Sequence, residues 1–268
     1  MHPFRKAVIN NTSDDEFKML FSEQVEFWAP MLTKPLYGRD FAVTLLSNAG
    51  KVLGKPQYTR EIKDISQTLL FWQGQADGHL LQAVTILKDD ENTGLISQVR
   101  FLMRPWPIVS LFVTKMHERL FDLIPEEYWQ VQAAGNPNED HKFSPVKLVD
   151  LPFTEDLTLH SPIFGKALQG RDWVIKGLST VHQIQSPSSY TSIIASPELK
   201  IEVFDCKIAA HAAEGIWVSK INPAGKVYDL TVYLRPYPVV SLLRERAKAT
   251  AEQDPEQREY FKTYWDIS

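Results

Sequence analysis

The chain has 268 residues, enough for about two domains, and its net charge of −4 with a pI near 6.0 offers no basic surface for nucleic acid. Cys206 is the single cysteine, which excludes an intramolecular disulfide and a cysteine-rich metal site. The sequence holds no apolar run long enough for a signal sequence or a membrane span, so we predict a cytoplasmic protein with no membrane partner. We also predict no metal and no cofactor.

An internal repeat organises the chain. The segment P-M-L-T-K-P-L-Y-G-R-D at residues 30–40 returns as P-I-F-G-K-A-L-Q-G-R-D at residues 162–172. Likewise, R-P-W-P-I-V-S-L at 104–111 returns as R-P-Y-P-V-V-S-L at 235–242. A period above one hundred residues indicates duplicated domains and not a solenoid, whose repeats span about 20 to 50 residues. We therefore predict a first domain at 1–132, a linker at 133–146, a second domain at 147–252 and a C-terminal helical tail at 253–268.

The first copy is predicted to begin with helices and to continue mainly with strands. A helix over residues 2–10 is followed by a second one, capped by Ser13 or Asp14, that runs through Leu20. A helix over about 40–53 has apolar residues at helical spacing, namely Phe41, Leu45, Ala49 and Val52. Another helix opens at Pro105 and Pro107 and runs through Leu123. Alternation and turn residues predict strands at 23–28, 58–65, 67–75, 79–87 and 95–104.

The second copy repeats this order without the two leading helices. Its predicted strands lie at 157–160, 189–195, 199–209, 214–221 and 226–235. Its predicted helices lie at 171–184 and 239–252, and a further helix follows Pro255. In both copies the Gly-Arg-Asp triplet is interpreted as a helix start, in which glycine makes the turn and aspartate places a favourable charge near the helix N-terminus.

The order of elements, the strand–Pro–Gly-Arg-Asp–helix segment and the final strand ending in Arg-Pro resemble the SnoaL-like, ketosteroid-isomerase-like branch of the nuclear-transport-factor-2-like (NTF2-like) superfamily. The segments at residues 159–172 and 2–5 in particular resemble uncharacterised bacterial members. The resemblance implies an α+β fold of two tandem cystatin-like/NTF2-like conical barrels, each a curved antiparallel sheet wrapped on helices. It also implies an intramolecular pseudo-dimer, so the protein is expected to be a monomer.

The chemistry that the resemblance implies depends on particular positions. Ketosteroid isomerases place a general-base aspartate immediately before the proline that follows the first strand, and the residues there are Ala29 and Ser161. Neither side chain can accept a proton from carbon near neutral pH. The protonated aspartate that these isomerases use on a later strand falls near Thr85 and Trp217. Because the acid–base pair is missing from both copies, steroid-type isomerisation is disfavoured.

Aromatic and polar strand residues define the predicted ligand site, which would take a small apolar molecule. The predicted ligand-lining residues are Phe27, Tyr58 and Trp72 in the first copy and Ser161, Tyr190, Asp205 and Trp217 in the second. Asp205 is the only candidate base, so any catalysis is expected in the second copy. An aspartate within an apolar strand either meets a partner in a pocket or faces water, and both alternatives stay open at this point.

Several functions are compatible with these residues. The leading hypothesis is a small-molecule-binding protein with an apolar pocket, and more narrowly an isomerase, cyclase or hydrolase of secondary metabolism without the isomerase base. The alternative is a non-catalytic interaction or scaffold protein, in which the sheet surface or the aromatic segment at residues 256–265 binds another protein. In a third hypothesis, one copy has become a structural support and only the other keeps a pocket.

Overall fold

The computed structural model describes residues 1–131, 152–186, 188–251 and 255–261, which form an α+β fold. The chain divides into two compact units. The first comprises Met1–Met103 and Ile108–Gln130, and the second comprises Arg104–Pro107 together with the described residues from Val131 onward. The predicted linker at 133–146 and the end of the predicted tail, residues 262–268, lie outside the described residues.

The first unit begins with two short helices, α1 (Pro3–Asn10) and α2 (Asp14–Lys18), which are capped by the side chains of His2 and Ser13. The long helix α3 (Arg39–Leu53) follows the first two strands, α4 (Trp106–Leu120) follows the last strand, and a 3-10 helix lies at Glu126–Tyr128. The strands are β1 (Phe21–Trp28), β2 (Leu36–Tyr37), β3 (Gln57–Lys63), β4 (Thr68–Ala76), β5 (His79–Asp89) and β6 (Ile96–Arg104).

These six strands form a sheet in the order β3-β4-β5-β6-β1-β2. The pairs β1–β2, β3–β4 and β4–β5 are antiparallel, whereas β1 runs parallel to β6. The register shifts between Tyr58 and Arg60 in the β3–β4 pair. Such an irregularity bends a strand and increases its twist, which helps a sheet to curve around a helix.

Among its described residues, the second unit lacks counterparts of α1 and α2, and from its first strand onward it has the same order of strands and long helices as the first unit. Its strands are β7 (Phe153–His160), β8 (Leu168–Gln169), β9 (Ser189–Ser196), β10 (Leu199–Ile208), β11 (His211–Ile221) and β12 (Val227–Arg235). They form the order β9-β10-β11-β12-β7-β8, with β7 parallel to β12. Its helices are α5 (Arg171–Ile184), α6 (Tyr237–Ala251) and α7 (Pro255–Arg258), followed by a 3-10 helix at Glu259–Phe261.

The Gly-Arg-Asp triplets start the long helix of each unit, as predicted. Gly38 and Gly170 have φ angles of 100° and 92°, a region that side-chain-bearing residues rarely adopt. The arginine that follows each glycine is the first residue of the helix and reaches a glutamate on the first strand of its unit. These pairs are Arg39–Glu23 at 3.6 Å and Arg171–Glu155 at 3.5 Å.

Two strands begin three or more residues earlier than the sequence predicts. β7 begins at Phe153 rather than at residue 157, and β11 begins at His211 rather than at residue 214. The turn before β11 is made by Ala209 and Ala210, which both have positive φ, at 51° and 68°. Tight hairpin turns of this kind usually carry asparagine or glycine, so two alanines give no turn signal.

Across the described ranges, none of the helices combines the length and the apolar character that crossing a membrane requires.

Candidate ligand-binding cavity

A cavity of about 650 Å³ opens in the first unit. Its walls come from α1, α2, α3 and α4 and from the strands β1, β3, β4 and β6. Most of the lining side chains are apolar, among them Phe4, Phe17, Phe101, Phe112 and Met116. Pockets that bind small molecules typically measure about 300 to 1,000 Å³ and have mainly hydrophobic walls. The cavity therefore has the size and the lining of a small-molecule site.

Aromatic rings form one wall of the cavity. The ring of Phe101 lies 5.5 Å from that of Phe27 and 6.4 Å from that of Trp72, measured between centroids. The indole Nε1 of Trp72 donates a hydrogen bond of 2.8 Å to the hydroxyl of Thr85, and both residues are buried. Because this N–H group already has an acceptor, Trp72 offers the cavity an apolar ring face and not a hydrogen-bond donor.

Tyr58 brings a polar group to the wall. The guanidinium carbon of Arg5 lies 5.3 Å from the centroid of its ring, and Arg5 is itself paired with Glu61 at 3.1 Å. Burial raises the pKa of the Tyr58 phenol above its usual value, although the positive charge of Arg5 acts in the opposite direction. The phenol therefore stays protonated at neutral pH, and its hydroxyl can donate a hydrogen bond to an acceptor on a ligand.

The charged lining residues lie at the open side of the cavity. Asp14 begins α2, Lys51 lies in the last turn of α3, and Lys55 follows the end of that helix. All three side chains are exposed, and the neutral polar residues Asn11 and Thr12 adjoin them. The cavity thus has an apolar interior and a polar, charged mouth.

The position that the sequence resemblance assigns to an isomerase base lies in the wall of this cavity. Ala29 occupies it and is 1% exposed, so this position presents a methyl group and no carboxylate. Among the described residues that line the cavity, Asp14 at the mouth is the one carboxylate. Within the same ranges, no group of three or more His, Cys, Asp or Glu side chains could hold a metal ion.

Among the described residues of the second unit, side chains fill the interior around Phe204 and Trp217. Phe204 and Trp217 stack there with centroids 6.0 Å apart, and both line a cavity of about 20 Å³. A second cavity of about 20 Å³ lies beside Phe164 and Phe261. Each volume suffices for about one water molecule and is far below that of a ligand site.

The C-terminal segment contributes to this filling. Phe261 is 6% exposed, belongs to the core of the second unit and meets the ring of Phe164 edge-on at 4.9 Å. The guanidinium of Arg244, a residue only 2% exposed, donates hydrogen bonds to the backbone carbonyls of Ile163 and Phe261 and lies 4.6 Å from the ring centroid of Trp106. The described end of the predicted tail thus packs against its own unit.

The predicted ligand-lining residues are distributed unevenly. Phe27, Tyr58 and Trp72 all line the large cavity of the first unit. Ser161 and Trp217 line one of the 20 Å³ cavities of the second unit. Tyr190 is 52% exposed, Asp205 is also exposed, and neither lines any of the three cavities. The structure therefore brings together the first three residues in the large cavity, places Ser161 and Trp217 together in a small one, and leaves Tyr190 and Asp205 outside both.

The strand alternation of β10 explains the position of Asp205. Phe204, Cys206 and Ile208 point into the core, so Asp205 lies on the opposite, exposed face. This placement corrects the expectation of a pocket base in the second copy. Burial, and next the negative charge of Asp205, raise the pKa of the Cys206 thiol to about 12, which makes it an unreactive core residue.

Several lining residues were missed by sequence reasoning. For the lining residues on α1 and α2, the sequence indicated only that they lie on the apolar sides of short helices. For Lys51 and Lys55, no sequence feature indicated a position at the cavity. The helical spacing did identify Leu45 and Ala49, which line the cavity from α3. It also placed Phe41 on the apolar side, yet Phe41 is 44% exposed.

No protein-family model and no curated protein matches the chain. Solved structures do match it. An uncharacterised bacterial protein with a cystatin-like fold from Silicibacter pomeroyi is 29% identical, and the match covers 41% of this chain and 77% of that one at a TM-score of 0.38. A steroid delta-isomerase from Pseudomonas aeruginosa is 17% identical, with coverages of 46% and 95% and a TM-score of 0.40.

An NTF2-like protein of unknown function from Cytophaga hutchinsonii is 17% identical, and the match covers 40% of this chain and 88% of that one at a TM-score of 0.32. Further matched structures carry SnoaL-like and ketosteroid-isomerase names. The matched structures thus bear the names of the superfamily that the sequence resembles.

Proposed function

We propose that this protein binds a small, mainly apolar molecule in the cavity of its first unit. The observation that carries the proposal is the cavity itself, which has a volume of about 650 Å³, apolar walls and a polar mouth. Phe27 and Trp72 supply ring faces for an apolar body, and the protonated hydroxyl of Tyr58 supplies a hydrogen-bond donor that fixes its orientation.

Binding, and not proton transfer, is the function that we assign to the cavity. An isomerase, cyclase or hydrolase acting by general acid–base catalysis needs a group within reach whose pKa lies near the working pH. Ala29 offers none, and the phenol of Tyr58 has a pKa that burial raises above its usual value. Among the described lining residues, Asp14 is the one carboxylate, and it lies at the exposed mouth and not in the apolar interior.

The proposal includes two tandem copies of one NTF2-like domain, of which the second has become a structural support. The shared order of strands and long helices and the glycine before each long helix support the duplication, and the filled interior around Phe204 and Trp217 supports the structural role. With two copies in one chain, we expect a monomer. Sedimentation should then give a mass near 30.7 kDa, and a mass near twice that value would count against the proposal.

A neutral fluorescent probe tests the binding function. We expect N-phenyl-1-naphthylamine to bind saturably with one equivalent per chain, because its apolar rings match the cavity walls. Ala49 lines the cavity from α3, so Ala49→Trp should fill it and abolish the signal. Lys6→Trp, on the exposed surface of α1, adds the same side chain outside the cavity and should leave binding unchanged. Absence of saturable binding to the unaltered protein would refute the function.

A further inference from the structure

The distribution of charge at the mouth of the cavity indicates which charge a ligand should carry there. Lys51 and Lys55 stand at the mouth on the α3 side, and Asp14 stands there on the α2 side. The interior beyond them is lined by apolar side chains and the phenol of Tyr58. A ligand that fills the interior and reaches the mouth therefore meets two positive charges and one negative charge.

The two lysines are available to a ligand. Among the residues that the structure describes, neither forms an ion pair, whereas Lys18 is paired with Asp40 and Lys115 with Asp77. Lys51 also stabilises the C-terminal end of the α3 dipole, an ordinary structural role for a lysine in a last turn. Lys55 lies beyond Gly54, where the helix has already ended, so this role does not account for it.

The charge of Asp14 is satisfied locally. It lies in the first turn of α2, immediately after the cap Ser13, where the backbone N–H groups and the helix dipole favour a negative charge. An anionic group at the mouth would therefore be attracted by the two lysines more strongly than it is repelled by Asp14. A cationic group would find only a carboxylate that already has favourable surroundings.

We propose that the ligand is an amphipathic carboxylic acid, whose apolar body fills the cavity and whose carboxylate lies between Lys51 and Lys55. This inference rests on the proposed function and specifies its ligand class. The apolar body supplies most of the affinity, because binding transfers its surface from water into contact with the aromatic and methionine side chains of the cavity walls. The carboxylate supplies the orientation, with the acid end outward and the tail toward Phe27 and Trp72.

Calorimetric titration of the full chain with three ligands of equal chain length tests the inference. The ligands are decanoate, decan-1-ol and decylamine at neutral pH and low salt. Exposed ion pairs change affinity by roughly one- to fivefold each, so the double variant Lys51→Gln/Lys55→Gln should bind decanoate about three- to tenfold more weakly. Its affinity for decan-1-ol should not change. Added salt should weaken decanoate binding to the unaltered protein, since exposed charges are screened.

A matched pair of lysines controls for net charge. Lys63 and Lys88 are exposed strand residues that do not line the cavity, so Lys63→Gln/Lys88→Gln removes the same charge elsewhere and should leave decanoate binding unchanged. Equal losses in the two double variants would overturn the inference, and so would tighter binding of decylamine than of decanoate. If decan-1-ol binds in either of those cases, the proposed function stands and only the inference about the carboxylate fails. If none of the three ligands binds, the proposed function itself fails.

Discussion

Replacing Gly215 by alanine tests how tightly the second unit is filled. A methyl group built at this position of β11 would lie 2.2 Å from Cζ of Phe204 and 2.7 Å from Cδ2 of Leu234. Non-bonded carbon atoms attract each other best at about 3.5 to 4.0 Å, so the ring has to move by more than an ångström. Phe204 is fully buried and stacks on Trp217, which leaves it little free space.

The expected cost follows from this overpacking. Forcing an additional methyl group into a packed core typically destabilises a protein by about 1 to 3 kcal/mol, and we expect Gly215→Ala to lie in the upper half of that range. Gly50→Ala is the matched control, because a Cβ at this position of α3 meets no atom within 4 Å. Alanine is favoured over glycine inside a helix by roughly 0.5 to 1 kcal/mol, so this variant should gain stability.

Urea unfolding monitored by circular dichroism measures both variants. The midpoint of the transition that involves the second unit should fall for Gly215→Ala, and the midpoint of the transition that involves the first unit should rise for Gly50→Ala. A double variant with Phe204→Leu should recover part of the loss, since the shortened side chain no longer meets the new methyl group. Unchanged stability of Gly215→Ala, or no coupling between the two positions, would refute the packing described for this interior.

Three further outcomes are expected. Thr85→Val should cost about 1 to 3 kcal/mol in a thermal or urea melt, because it leaves the buried N–H of Trp72 without its acceptor; an unchanged melt would contradict this. Burial raises the pKa of Asp229, but the hydrogen bond with His160 at 3.3 Å and the nearby Lys220 at 3.2 Å together outweigh it, so the pKa lies below its usual value. Its stabilising effect is therefore present above about pH 4 and lost as the pH falls through the folded-state pKa, and Asp229→Asn should remove this acid-side slope from the stability curve. Cys206, buried and with a raised pKa of about 12, should react with a thiol reagent at pH 8 only after urea is added.

Local sequence signals predicted the helices well. The bounds predicted for α5, residues 171–184, are those that the structure has, and α3 begins one residue before its predicted start. Each helix directly follows a glycine whose positive φ an L-residue rarely adopts, so the helix start is visible in the sequence. The Ala209-Ala210 turn is set by the pairing of β10 with β11 and not by the intrinsic preference of alanine, and it was therefore missed.

The unit that holds the large cavity could not be predicted. Both copies have aromatic residues on their strands, and whether these line a space or fill it depends on side-chain packing between distant segments. In the second unit, Phe204 and Trp217 stack across neighbouring strands, and Phe261 reaches the core from the end of the chain. For Asp205, the alternation of β10 is irregular in the sequence, because Val203 and Phe204 are adjacent and both buried, where the pairing register with β9 shifts.

The buried guanidinium of Arg244 makes the last described residues part of the second unit's fold. A shortened chain that stops at residue 252, where the repeat suggests a natural end, would lose the carbonyl of Phe261 that this guanidinium binds. It would also expose the ring of Phe164 to water. The loss of one hydrogen-bond acceptor of a buried guanidinium, together with newly exposed apolar surface, favours self-association. Anyone dividing this protein into its halves should therefore keep the C-terminal segment with the second half.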